Sequence, residues 1–523
     1  MKRKNPAFGS ACCFVRHGFG KIRRRRARVR NSSINGFANC KHSGREQMTM
    51  KFVSCCIGRG YRLRFPVGRA AGILVALQML AFRAGSAAQS LEGTVELNAG
   101  NAAATSVTAN SAPEKGGQVN VKTSGAVGDG ITDDTAAFNA ALKSLADAGG
   151  GTCLVPKGIY VISAAGITSH VTSGVHLIGE GPTSILKIAA MPTGPLIVGD
   201  GNNWSIENLT LDMQDYSPSR IRPAIRCRGD NWRVANCSIL KIGRIGITVF
   251  GGNNWSIERN HITKTIPAQR LNESILVTKM GETRATNARI IDNICEGSGI
   301  MFWGFHSTIA RNRVSNTGFG SGIFTGQVAN CHTMKIIGNT CSGGRGFDEN
   351  RTWVSGFELW SPDSIIEGNV AYNNDGGGII IGGKNCVVIA NESYDNGVRL
   401  PKGAGFVARY KNEDVSASGS VFIGNRAHNS RNPNSSATQT YGYAEQPGRL
   451  HDIVHIGNDY TRNRIRPADY HSTTGQPNVS PDQGRPVIQT RLSPEMRGKL
   501  KTLVEDADLP DDARRAVREC LAR

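Results

Sequence analysis

Three stretches, Asn202–Leu211 (NNWSIENLTL), Asp230–Ile239 (DNWRVANCSI) and Asn253–Ile262 (NNWSIERNHI), are variants of one ten-residue theme. Working outward from them, an asparagine follows a short apolar run at Asn208, Asn236, Asn260, Asn293, Asn312, Asn339, Asn369, Asn391, Asn425 and Asn458, with Ile or Val two or three residues before each. The spacing varies between 19 and 34 residues. A variable period of this size, built of short β-runs, predicts a coiling solenoid. Each coil adds strands to those of its neighbours at about 4.8 Å per layer. Asparagine suits the repeated position because it tolerates left-handed turns and its amide can bond its equivalent one coil away. The fold class is therefore all-β, a parallel β-helix of about ten or more coils.

A second register runs alongside: a small residue, then an apolar pair at i and i+2. It occurs at Ile247/Val249, Ile275/Val277, Ile300/Phe302, Ile323/Thr325, Phe357/Leu359, Ile379/Ile381 and Phe406/Ala408. These pairs should point inward and stack like on like, so the residues between and after them face out. One outward column then reads Arg226, Thr248, Leu276, Met301, Phe324, Glu358, Ile380, Val407. The next reads Arg228, Phe250, Thr278, Trp303, Gly326, Trp360, Gly382, Arg409.

The ends of the chain read differently. Residues 1–88 hold 19 Lys and Arg against one acidic residue, Glu46, and so supply +18 of the net +21. The remaining 435 residues carry 43 basic and 40 acidic side chains, so nothing beyond the leader calls for a nucleic-acid partner. Arg59, Arg62, Arg64 and Arg69 precede an apolar run from Ala70 to Phe82, and small residues lead to Ala88. This pattern predicts a secretory signal cleaved after Ala88, hence a secreted or periplasmic protein. The run is too short to span a bilayer, which takes about 20 residues. Residues 1–47 do not fit such a signal, and translation is expected to start at Met48 or Met50. Residues 89–118 read as a linker, 119–465 as the β-helix, 466–492 as a Pro-rich connection and 493–523 as helices capping the last coil. At the entrance to the solenoid, Thr132 is expected to cap a helix with Asp133 and Asp134 in its first turn and an apolar stripe of Ala136, Ala137, Ala140, Ala141, Leu142 and Leu145. The eight cysteines beyond the leader show neither zinc spacing nor a disulfide framework, and are expected as small buried fillers. No metal or cofactor is predicted.

Two segments, GAVGDGITDDTAAF (125–138) and GGGTCLVPKGIYVI (149–162), carry a family resemblance. With the repeat, residues 119–465 resemble the pectate-lyase-like right-handed β-helix superfamily, in particular its rhamnogalacturonase/epimerase-like branch. That resemblance implies a β-helix acting on polysaccharide as hydrolase, lyase or epimerase, although some members only bind or serve as phage tailspikes. It also implies structural roles for Asp133 and Asp134. The NTD, GHG and RIK triplets of polygalacturonases, the WiDH of pectate lyases and the DPHD of mannuronan epimerases are missing here. The resemblance thus fixes a fold and leaves the reaction open.

In the outward columns, Trp303 and Trp360 stand two coils apart, about 10 Å, and Gly326 is expected to leave a hollow between them. Aromatic platforms beside hydrogen-bonding groups suit a sugar. The candidate substrate-binding residues are Trp303, Trp360, Phe250, His306, Arg409 and Lys411. Glu358, flanked by Phe324, Ile380 and Trp360, is the candidate general acid, and Asp375 and Asp348 are candidates for the second carboxylate that a glycosidase needs. For a lyase, Arg409 or Lys411 would be the base. Two functions stay open: a secreted glycoside hydrolase or polysaccharide lyase, and a non-catalytic polysaccharide-binding or surface-assembly protein. The same apolar face could instead be covered by the linker, the C-terminal tail or a second subunit in a homo-oligomer.

Overall fold

A computed structural model describes residues 117–469, apart from short gaps at 217–221, 266–272, 279–282, 319, 328–329, 346–353, 399–402, 431–437, 447–448 and 464–465. It also describes the strands at 41–43, 47–51 and 62–66 and the helices at 494–505 and 511–522. The three early strands form a small antiparallel sheet belonging to a separate unit, Met1–Thr108. The apolar run from Ala70 to Phe82 and the linker up to residue 116 lie outside the described residues.

From Gln118 onward the chain builds three long parallel sheets. Sheet 1 has 11 strands, from Ile197–Gly199 to Arg466–Asp469. Sheet 2 has 13, from Gln118–Asn120 to Val454–Ile456. Sheet 3 has 12, from Asp129–Asp133 to Arg426–His428. Within each sheet, strands pair with the equivalent strand one coil away, so the three sheets wrap a single interior as a right-handed parallel β-helix. The last strand, Arg466–Asp469, pairs with Tyr441–Glu445 and carries the solenoid slightly past residue 465.

The inward pairs are buried as their period requires; Ile247, Val249, Ile275, Val277, Phe302, Phe357 and Ile381 are all 0 % exposed. The tryptophans of the quoted theme stack inside. Trp204, Trp232 and Trp255 lie parallel at 4.9 and 4.8 Å, and each indole N–H donates to a glycine carbonyl at Gly201, Gly229 or Gly252. The seven described cysteines are free and buried, as fillers should be, and burial pushes thiols such as Cys153 up to about 12.

The asparagine ladder runs through eight of the ten positions, Asn260, Asn293, Asn312, Asn339, Asn369, Asn391, Asn425 and Asn458. Each accepts, at Oδ1, a backbone N–H and, from Asn293 on, an amide N–H from the coil before. Asn208 and Asn236 do not belong to it. They sit one residue earlier, in the left-handed column (φ 58 and 55) shared with Arg259, Asp292 and Arg311, and the inward position in their coils is Leu209 or Cys237. Asparagine fits both neighbouring positions for different reasons, and residue type alone does not separate them.

Two terminal expectations change. The first helix spans Thr135–Asp147 and its N-cap is Asp134, so Asp133 and Asp134 precede it. Asp134 turns back into the glycine loop and accepts from the N–H groups of Val127 (2.7 Å) and Gly128 (3.2 Å), while Asp133 accepts from Thr135. Phe138 joins the buried stripe, whereas Ala136 and Ala140 are exposed. At the other end, helices Pro494–Glu505 and Asp511–Ala522 pack along the outer flank of sheet 2. Their Met496, Leu500 and Val517 close over Val387, Ile389, Val421, Ile423, Val454 and Ile456.

Candidate functional site

The outer face of sheet 1 carries both expected columns in register. Arg226 pairs with Thr248, Thr248 with Leu276, Leu276 with Met301, Met301 with Phe324, Phe324 with Glu358, and Glu358 with Ile380. Strict alternation along each strand sends these side chains away from the interior.

Four groups converge at the centre. The Glu358 carboxylate accepts from Ser321 Oγ (3.1 Å), from the Trp360 indole N–H (3.1 Å) and from Arg409 (3.5 Å). Arg409 also lies over the Trp360 ring, 5.8 Å from its centroid. Glu358 and Arg409 are 14 % and 12 % exposed, so the pair is desolvated on most sides and still reachable from solvent. Burial pulls the guanidinium down from its ordinary value, and Glu358 pulls it back up. Ser321, Trp360 and Arg409 all donate to this carboxylate, which stands in the structure as a hydrogen-bond acceptor.

Gly326 does not leave a hollow. A methyl group there would sit 1.9 Å from Trp303 Cδ1, and one at Gly382 would sit 2.2 Å from Trp360 Cε3. Each indole therefore leans over the bare backbone one coil on, and the alternation of large and absent side chains is a bed for two rings. Trp303 stays half-buried, with Phe324 edge-on at 5.8 Å. Beside it, Thr278, Arg284 and Asn330 complete a cleft of about 180 Å³, in which Arg284 donates to Asn330 at 3.1 Å.

The remaining candidates scatter. Lys411 lies in a short antiparallel ribbon, Tyr410–Asn412 with Val415–Ser416, and reaches back to Gln327 (3.0 Å). Phe250 lies under Arg228 (5.5 Å), four coils or about 19 Å from the coil of Glu358. His306 occupies an exposed turn at φ 49 between sheets 1 and 2, edge-on to His332 at 5.3 Å. Asp375 is 3 % exposed in a turn from sheet 3 to sheet 1, with Arg345 at 3.6 Å. Asp348 lies outside the described residues. Among the described residues no cluster of His, Cys, Asp and Glu could hold a metal ion. Sequence reasoning missed Ser321, Gln327, Arg284 and Asn330. Ser321 could have been found by counting two residues back from the inward Ile323, while the others stand in turns of irregular length.

Fold and face together define a class, a right-handed parallel β-helix with a partly open stripe of aromatic, acidic and basic side chains along one sheet. Residues 118–348, a little under half of the chain, match the family described as rhamnogalacturonase A/epimerase, pectate lyase-like, and the fold is that of the pectate-lyase-like β-helix proteins. The mannuronan C5-epimerase AlgE1 of Azotobacter vinelandii is 46 % identical over 118 residues, 22 % of this chain and 8 % of its own length. Alginate lyase 7 of the same organism is 35 % identical over 107 residues, 18 % of this chain and 12 % of its own. The chain thus spans a small fraction of the curated relatives it matches. Among solved structures, the A-module of mannuronan C-5 epimerase AlgE4 from A. vinelandii superposes with TM-score 0.54 at 17 % identity, over 68 % of this chain and 98 % of that one. A tailspike protein of E. coli bacteriophage HK620 gives 0.50 at 16 %, over 68 % and 69 %. At these identities the structural likeness concerns the fold alone.

Proposed function

We propose that this chain is a secreted carbohydrate-active protein that holds a polysaccharide along the outer face of sheet 1 and cleaves it. The observation that carries the reading is the assembly of Ser321, Glu358, Trp360 and Arg409, which combines a ring platform with a preorganised charged pair. Trp303 and its cleft extend the platform by two coils. Ringed by donors, Glu358 bears on the sugar as a carboxylate, a nucleophile or base, more readily than as a proton donor. Support for a sugar polymer also comes from relatives named for mannuronan epimerisation and alginate cleavage. The apolar run before Ala88 supports export.

The second reading, a non-catalytic binding protein, is favoured by one observation: Asp375, the described candidate for a partner acid, is itself buried and lies 3.6 Å from the Arg345 guanidinium. The two part on a single experiment. Mannuronan, polygalacturonate and rhamnogalacturonan are incubated with the chain, and both new reducing ends and the ultraviolet absorbance of unsaturated products are followed. Glu358→Gln is expected to lower turnover by about a hundredfold or more while polymer binding survives. Binding without products in the wild type would establish the second reading. Turnover unaffected by the substitution would remove Glu358 from the chemistry.

A further inference from the structure

The cleft beside Trp303 takes its walls from two different parts of the coil. Thr278 ends the strand Ile275–Thr278, and Trp303 follows the paired strand Ile300–Phe302 one coil on. Both belong to the second outward column of sheet 1. Arg284 and Asn330 stand instead in turns between sheets 1 and 2, Arg284 just before the short strand Ala285–Thr286. The lean of Trp303 over Gly326 draws its indole away from the coil of Thr278, and the cleft occupies the space between them. Across it, Arg284 donates to Oδ1 of Asn330 at 3.1 Å, which fixes that amide with its NH2 end as the donor.

Glu358 lies on a different line. It follows Leu276, Met301 and Phe324 in register along the first outward column, and all four are partly open. A sugar chain that passes over Glu358 has this open column as its floor. At the same coil the second column is filled, for Trp360 is 8 % exposed with Arg409 over its ring. The cleft stands two coils upstream and two residues further along the strand, about 6–7 Å to the side of that floor. Turn residues bound its far side. Its volume of about 180 Å³ falls below the ~300–1,000 Å³ of sites that enclose a larger ligand, and suits one ring. A sugar seated there hangs from the main chain beside it.

We propose that the substrate is a branched polysaccharide and that this cleft receives a branch of one pyranose residue, stacked on the Trp303 indole and hydrogen-bonded by Asn330 and Thr278. The inference rests on the reading of sheet 1 as a polysaccharide face and adds to it the class of polymer. An indole suits the apolar C–H face of a pyranose. The amide NH2 of Asn330 and the hydroxyl of Thr278 suit its rim of oxygens. Arg284 acts through Asn330, as a positioning residue that holds the amide in one orientation.

The test compares pairs of polymers that share a main chain and differ in branching. Rhamnogalacturonan trimmed to single galactose branches is set against its fully debranched form, and galactomannan against unbranched mannan, with the affinity of the full chain measured by calorimetry. For the pair that binds, the branched member is expected to bind about tenfold more tightly, the order of one stacked ring and one hydrogen bond. Thr278→Phe fills the cleft and should bring the ratio of the two affinities to about one. Asn330→Leu should lower the ratio by about fivefold, and keeps the test open should the phenylalanine variant fail to fold. Equal affinity for both members in the wild type, or a ratio that survives both substitutions, overturns the branch site and leaves the polysaccharide face standing. If the wild type binds no member of either pair, the reading of the face falls and this inference with it.

Discussion

Sheets 1 and 2 run through the same coils, and both set apolar side chains on their outer surfaces. On sheet 2 these are aliphatic, from Val387 to Ile456, and two C-terminal helices reduce every one of them to 5 % exposure or less. On sheet 1 the outward residues are aromatic and mixed with charge, and Leu276, Met301, Trp303 and Phe324 stay partly open. An aliphatic stripe closed by helices is packing. An aromatic stripe interrupted by Arg, Glu and Thr, and left accessible, has the composition of the binding face proposed above. The contrast also answers which face the described C-terminal helices cover, for their contacts fall on sheet 2.

The sharpest way to break this comparison is to open the covered face. Leu500 is 0 % exposed between the helices and sheet 2, and Leu500→Asp places an unpaired carboxylate there at a cost on the order of 3–5 kcal/mol. The helices are expected to detach, with loss of helical circular dichroism, gain of hydrophobic-dye binding and self-association through the bared stripe. Polysaccharide affinity on sheet 1 should be unchanged. A parallel loss of affinity would mean the two faces are not independent.

A smaller effect sharpens the other side. Gly382→Ala would drive a methyl group into the Trp360 ring and displace it, costing about 1–3 kcal/mol and weakening polymer binding together with the Arg409 contact. In a Trp360→Ala background the same substitution should cost almost nothing, since the atoms it meets are gone. Urea unfolding of the four variants measures the coupling. Additive costs would show that the glycine serves the backbone and not the indole.

Both faces were legible as columns because a strand alternates strictly and parallel coils stack residue on residue. Glu358, Trp360 and Arg409 could therefore be aligned from sequence although 51 residues separate the first from the last. The limits were physical too. Turns between sheets vary in length, so Arg284, Asn330 and the long reach of Lys411 to Gln327 follow no period. Nor does a column say which way an indole leans, and the expected hollow at Gly326 is where Trp303 rests. The ladder was misread at Asn208 and Asn236 because a left-handed turn and an inward amide favour the same residue one position apart. The aliphatic run of Val387, Ile389, Val421 and Ile423 at outward positions was the signal that the C-terminal helices would lie on the flank of the solenoid and not over its end.

The smallest expected effect concerns a charged contact between these helices and an earlier coil. Lys499 Nζ lies 3.0 Å from Asp363 Oδ1, with the two side chains 32 % and 40 % exposed. A pair so open to water gains little from its charge and gives up side-chain freedom to form, so Lys499→Ala should cost about 1 kcal/mol or less. Asp363 would keep the amide of Asn385 at 3.3 Å, so no carboxylate is stranded. The denaturation midpoint should barely move, and 0.5 M salt should not widen the difference. A loss of more than about 2 kcal/mol would show the helices held by charge and not by the aliphatic stripe beneath them. Sheet 2 would then be a polar docking face like sheet 1, and the distinction between a packed stripe and a recognising one would no longer hold.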